Sequence, residues 1–98
     1  MKVLLVFLFF AAQGFAAFDQ SHSKWQEFLK KRIKKEGNQT LVNYGAVKKD
    51  YEKLKSYLLE LENVSQEEFE KFEKDEKLAF WINAYNAYTL DIVARHYP

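Results

Sequence analysis

The sequence predicts a mostly α fold, with four helices and one short β-prone segment. Two observations carry this expectation. Apolar residues recur at three- and four-residue intervals over long windows, with Gly, Asn and Ser punctuating the gaps between them. The chain is also 48% hydrophobic and 17% aromatic, too apolar to stay unfolded, and its 98 residues allow one small domain.

The first helix is expected from about Lys24 to Glu36. Ser23 is placed to cap it, Gln26 stands at capping-box spacing, and Trp25, Phe28, Leu29, Arg32 and Ile33 keep the helical period. Gly37 closes the helix and Asn38-Gln39 supply a turn. The run Thr40-Leu41-Val42-Asn43-Tyr44 is the β-prone segment. After a break at Gly45, Val47, Tyr51, Leu54, Leu58 and Leu61 form one stripe, predicting a continuous second helix from Ala46 to Glu62. Val64, Ser65, Glu68 and Phe69 then combine a hydrophobic staple with a capping box, opening a short third helix that ends near Glu73. Asp75 is the expected cap of a fourth helix from Glu76 to Tyr97.

Ahead of these elements, Met1-Lys2 is followed by the apolar run Val3 to Ala12, too short to span a bilayer and flanked by small residues near Gly14 to Ala17. Residues 1–16 are therefore read as a signal peptide and residues 17–98 as the N-terminal portion of an exported domain, periplasmic or extracellular, with no stable membrane span after cleavage. The chain has no cysteine, which removes both a lipoprotein anchor and disulfide stapling. A chain this small without staples, closing on Arg95-His96-Tyr97-Pro98 straight after an apolar helix, is expected to be part of something larger. Its expected partner is the downstream part of its own domain or another protein.

Charge is unevenly spread. His22 to Lys55 holds ten Lys or Arg against four Asp or Glu, and Ser56 to Pro98 holds four against nine. Oppositely charged solvated faces within one fold explain this better than a nucleic-acid surface at Lys30, Lys31, Arg32, Lys34 and Lys35, since no aromatic row interleaves with those lysines. No nucleic-acid partner is expected.

The fourth helix holds the unusual chemistry. Leu78, Trp81, Ile82, Tyr85, Thr89, Ile92 and Val93 gather on one broad face, and Asp91 pairs with Arg95 at i, i+4. Asn83 and Asn86 share a small-sided sector with Ala79, Ala87, Leu90 and Ala94, suited to close approach by another segment. A buried amide left unpaired costs about 1 to 3 kcal/mol, so both asparagines are expected to clamp neighbouring backbone or to support a site completed elsewhere. Trp25, Trp81 and Tyr85 are the expected core aromatics.

The stretch Asp75-Glu76-Lys77-Leu78-Ala79-Phe80-Trp81-Ile82-Asn83-Ala84-Tyr85-Asn86-Ala87 resembles the most characteristic segment of the family called domain of unknown function 547. Phe18 to Trp25 resembles that family's opening segment, and Val42-Asn43-Tyr44 its Val-Asp/Asn-Tyr segment. The resemblance implies that the four helices and the β-prone segment are the N-terminal part of a larger α+β domain. The family pattern continues into a segment with His and Cys that this sequence does not contain.

Other chemistry finds little support. Asp19, Ser21, His22 and Ser23 hold the residue types of a hydrolase triad, but sequence neighbours do not supply its geometry, and a lead into a helix cap is the expected role. His22 and His96 are the only histidines, so no metal site and no cofactor are expected. The acidic run from Glu67 to Glu76 lacks the Asp/Asn and Gly loop of an EF-hand. Asn38-Gln39-Thr40 and Asn63-Val64-Ser65 match the N-glycosylation pattern but have local turn and capping roles. The resulting expectation is an exported protein acting as a structural or interaction portion of a cell-envelope domain. The alternative is the front of a hydrolase-like or thiol-dependent enzyme with catalytic His and Cys downstream.

Overall fold

The computed structural model describes residues 17–98; the expected signal peptide, residues 1–16, lies outside the described residues. The chain is mostly helical. It runs α1 (Ser23–Arg32), β1 (Ile33–Glu36), β2 (Gln39–Val42), α2 (Tyr44–Lys49), α3 (Tyr51–Glu62), α4 (Gln66–Glu70) and α5 (Lys74–His96). Among the described residues there are thus five helices rather than four, and two short strands rather than one.

Each departure has a local cause. α1 is capped from a distance: Asp19 accepts from the backbone N–H of Ser21 and Ser23, both at 3.0 Å, and from both hydroxyls. The N-cap position falls to His22 instead of Ser23. The helix stops at Arg32 because Ile33 takes extended backbone and starts a hairpin, pairing with Val42 while Glu36 pairs with Gln39. The two-residue loop Gly37-Asn38 has Gly37 at φ 59, the positive value a primed hairpin turn requires at its first central position. The expected second helix is split at Asp50, whose φ of −103 and ψ of 29 fall outside the helix, and whose carboxylate is drawn to the Arg32 guanidinium. Asn43 opens α2 by accepting from the Ala46 N–H at 3.0 Å, so Gly45 lies inside a helix and marks no break.

The α4 start follows the sequence reading closely. Ser65 accepts from the Glu68 N–H at 3.0 Å, and Val64 and Phe69 are both partly buried against the core. The Glu68 carboxylate, however, turns away from the cap and accepts from the Phe18 N–H at 3.0 Å. At α5 the capping box is made by Glu73 and Glu76 instead of Asp75, which starts the helix two residues early.

The core is built by Trp25 and Phe28 of α1, Val47 of α2, Leu54, Tyr57, Leu58 and Leu61 of α3, and Phe80, Ala84, Ala87 and Ala94 of α5. α3 packs against both α1 and α5, and α2 also rests on α5. Trp25 stacks on Tyr57 with ring centroids 5.5 Å apart, so the expected core role of Trp25 holds. Two charged side chains are also buried. Arg32 lies over the Phe28 ring at 4.2 Å and donates to the Phe28 carbonyl, while Asp91 accepts from the Tyr51 hydroxyl. Arg32 is thereby removed from any basic surface. No helix among the described residues is long and apolar enough to cross a membrane.

Candidate functional site

α5 is apolar nearly all round, and the structure decides which side turns inward. Phe80, Ala84, Ala87, Asp91 and Ala94 form the buried stripe, at the four- and three-residue steps of one helix face. Leu78, Trp81, Ile82, Tyr85 and Ile92 lie on the other side and are 52% to 73% exposed. Alanine explains the choice, because its small side chain lets α2 and α3 come close to the α5 backbone where a bulkier residue would hold them off. Trp81 and Tyr85 are therefore not core residues of this chain. Both belong to the bare apolar face of α5, and Tyr85, at 73%, is the most exposed of its large side chains.

Beside this face lies a cleft of about 360 Å³ lined by Leu61 and Glu62 of α3, Val64, Ser65, Gln66 and Phe69 around α4, and Phe80, Trp81, Ala84 and Tyr88 of α5. Its floor is aromatic. Phe69 meets Phe80 and Trp81 at 5.3 and 5.5 Å between ring centroids, and Phe72 meets Phe80 at 6.0 Å. The polar edge is tied down by the Tyr88 hydroxyl, which donates to Glu62 at 2.7 Å. Burial, followed by that bond to a carboxylate, pushes the Tyr88 phenol up to about 12. Tyr88 is thus a fixed donor rather than a proton carrier near neutral pH.

The bare face and the α5 side of the cleft fall in the segment that a family comparison picks out. Residues 69–98 match the family described as "Protein of unknown function, DUF547". The DUF547 match spans the end of α4 and all of α5, so it covers the bare face and much of the cleft. It includes the long motif from Asp75 to Ala87 that carried the resemblance, and leaves the shorter matches at Phe18 and Val42 outside. No curated protein and no solved structure matches the chain.

Within the DUF547 segment, the asparagines do not behave as a buried clamp. Asn83 is half-buried and Asn86 is exposed, and among the described residues neither amide hydrogen-bonds to another group. Their sector is split: Asn83 stands beside the inward alanines, and Asn86 stands toward Ile82 at the rim of the bare face. Asp91, expected only as the i, i+4 partner of Arg95, also reaches across to α3. It is buried, holding Arg95 at 3.2 Å and the Tyr51 hydroxyl across the helix interface. The hydrogen bond to Asp91, with burial behind it, pushes the Tyr51 phenol up.

The N-terminal segment is ordered by its own polar groups and forms no triad. Four donors from Ser21 and Ser23 hold the Asp19 carboxyl well below the usual range, led by the Ser21 hydroxyl. His22 turns inward, and its Nδ1 lies 2.6 Å from the Tyr57 hydroxyl. The acid and both hydroxyls thus bond one another while the imidazole turns to Tyr57, so no acid–imidazole–hydroxyl relay forms, in keeping with the lead-and-cap reading. Reading the sequence missed Tyr57 as a polar core residue: it lies outside the stripe of Leu54, Leu58 and Leu61, and nothing local signals a histidine opposite it. Among the described residues no three His, Asp or Glu side chains gather as metal ligands.

Proposed function

We propose that the chain is the structural or interaction portion of an exported cell-envelope domain, and that the bare face of α5 is its working surface. The occupant of that face is a further protein segment, either the downstream part of the same domain or a protein partner. One observation carries the reading: α5 packs its alanine side inward and leaves Leu78, Trp81, Ile82, Tyr85 and Ile92 to solvent. Contiguous apolar surface of this kind on a soluble protein marks an interaction site. The exposed amide of Asn86 at its edge supplies donors and an acceptor that an incoming backbone can use.

Two measurements test the two halves of the proposal. Fractionation with mass analysis of the processed chain should find it outside the cytosol, cut near Gly14 to Ala17; an uncut cytosolic chain overturns the export half. A photoreactive residue at position 82 or 85 should give a discrete protein crosslink in cells, while one at exposed Lys55 should not. Equal, diffuse labelling from all three positions overturns the docking half.

A further inference from the structure

We propose that His22 is an acid-sensitive latch: neutral, it pins the segment from Phe18 to His22 onto α3, and protonated, it releases that segment and uncovers aromatic rings of α4 and α5. The inference holds whatever covers the bare face of α5.

His22 is 2% exposed and sits in the left-handed region at φ 50 and ψ 44, a backbone that a residue with a side chain adopts only when its surroundings enforce it. The enforcing contacts are the bond from Nδ1 to the Tyr57 hydroxyl and the edge-on packing of Phe18 at 5.1 Å between ring centroids. Nε2 is buried with no partner. In the neutral ring the Tyr57 O–H donates to Nδ1 and the ring proton sits on Nε2, leaving one orphan group. The other tautomer leaves two, the Tyr57 hydrogen and the Nε2 lone pair.

A second proton undoes this arrangement. Nδ1 can then no longer accept, the Tyr57 hydroxyl loses its acceptor, and a cation is created among the Phe18 and Tyr57 rings at the positive end of α1. Apart from one oxygen of Glu60, the surrounding charges are already committed. On the same segment Asp19 is held by Ser21 and Ser23, and on α1 Lys24 binds Ser56 and Glu60 at 3.1 Å each. On α3 Glu60 spends Oε2 on Lys24 while its Oε1 is buried without a partner, and on α4 Glu68 holds the Phe18 N–H. α5 meets the site through Phe80, which packs on Phe18 at 5.5 Å. Burial holds the His22 imidazole below its ordinary value of 6.5, outweighing the opposing pull of Asp19 and Glu60.

The sign follows from linkage. With the folded value below 6.5, the unfolded or released segment binds more protons in the intervening window. The latch is at full strength above that window and weakens as pH falls through the folded value. Opening lifts Phe18 from Phe72 and Phe80, at 5.9 and 5.5 Å, next to the Trp81 face.

The test follows the His22 imidazole by NMR in the intact protein from about pH 8 to about pH 5, alongside the fluorescence of a hydrophobic-surface dye. The variants are His22→Asn, since asparagine tolerates left-handed backbone and carries no titrating proton, and His96→Asn as the exposed control. The latch predicts a His22 midpoint below 6.5. It also predicts a several-fold rise in dye signal on acidification in the wild type and His96→Asn, and a flat response in His22→Asn. A His22 midpoint at or above 6.5, or an acid response that survives in His22→Asn, overturns it. Should His22→Asn fail to fold, the wild-type titration decides alone.

Discussion

Asp91 shows what a single side chain contributes and how its value depends on burial. Its side chain is 11% exposed and accepts from Tyr51, while Arg95, on the other oxygen, is more than half exposed. Asp91→Ala strands the Tyr51 hydroxyl at the helix interface and should cost about 1 to 3 kcal/mol in urea unfolding. Arg95→Ala removes only a screened surface partner and should cost less than about 1 kcal/mol. Equal losses from the two variants would mean that the helix-surface pair, and not the bond to Tyr51, holds Asp91. The i, i+4 spacing made the Asp91–Arg95 pair legible in the sequence. Tyr51 was not, because a partner 40 positions away is set by how α3 and α5 pack and leaves no local pattern. Asn83 and Asn86 show the same limit: spacing put them in one sector, but burial is a property of the neighbours. Since neither amide is bonded among the described residues, Asn83→Ala and Asn86→Ala should each change the chain's unfolding free energy by no more than about 0.5 kcal/mol. A larger loss appearing only when a partner is bound would assign the amides to the interface.

At the scale of elements, signals written within four residues were readable and signals between elements were not. The Val64-Ser65-Glu68-Phe69 pattern located the start of α4, and the Val47 to Leu61 stripe located the inward face of α2 and α3. The same stripe hid the interruption at Asp50, because the ion pair to Arg32 that holds the kink joins separate elements. Lys34-Lys35-Glu36 read as the end of a helix for a related reason. These residues are exposed on both sides of a two-stranded hairpin, so no alternation of burial disciplines their sequence. α5 was the hardest, since an all-round apolar helix names its sectors without saying which one is covered. A pair of substitutions settles its orientation. Ala87 is fully buried, so Ala87→Leu should overpack the contact with the rest of the core and cost about 1 to 3 kcal/mol. Tyr85→Lys, on the opposite side, should stay within about 0.5 kcal/mol by the same urea measurement. The reverse ranking would mean that α5 is rotated and that the docking face is misassigned.

For the whole molecule the question is how so small a chain, without cysteine, holds together while keeping five large apolar side chains of one helix in water. Small domains bury a low fraction of their surface and sit close to the limit of stability, so surface that could be buried and is not weighs heavily. Covering the α5 face would add stability by linkage, because whatever binds the folded chain and not the unfolded one shifts the equilibrium toward folding. Alone in solution, the chain should therefore bind a hydrophobic-surface dye or associate as its concentration rises, with a melting temperature that climbs in parallel. The double variant Trp81→Glu, Tyr85→Glu should abolish the dye signal and the concentration dependence while leaving helical content unchanged, since both side chains lie mainly outside the core. Circular dichroism, sedimentation and dye titration on the two proteins read all three effects. A wild-type chain that stays a dye-silent monomer across the concentration range would show that water, not protein, is the normal neighbour of α5. The docking role would then have to be given up, even with the fold correct in every other respect.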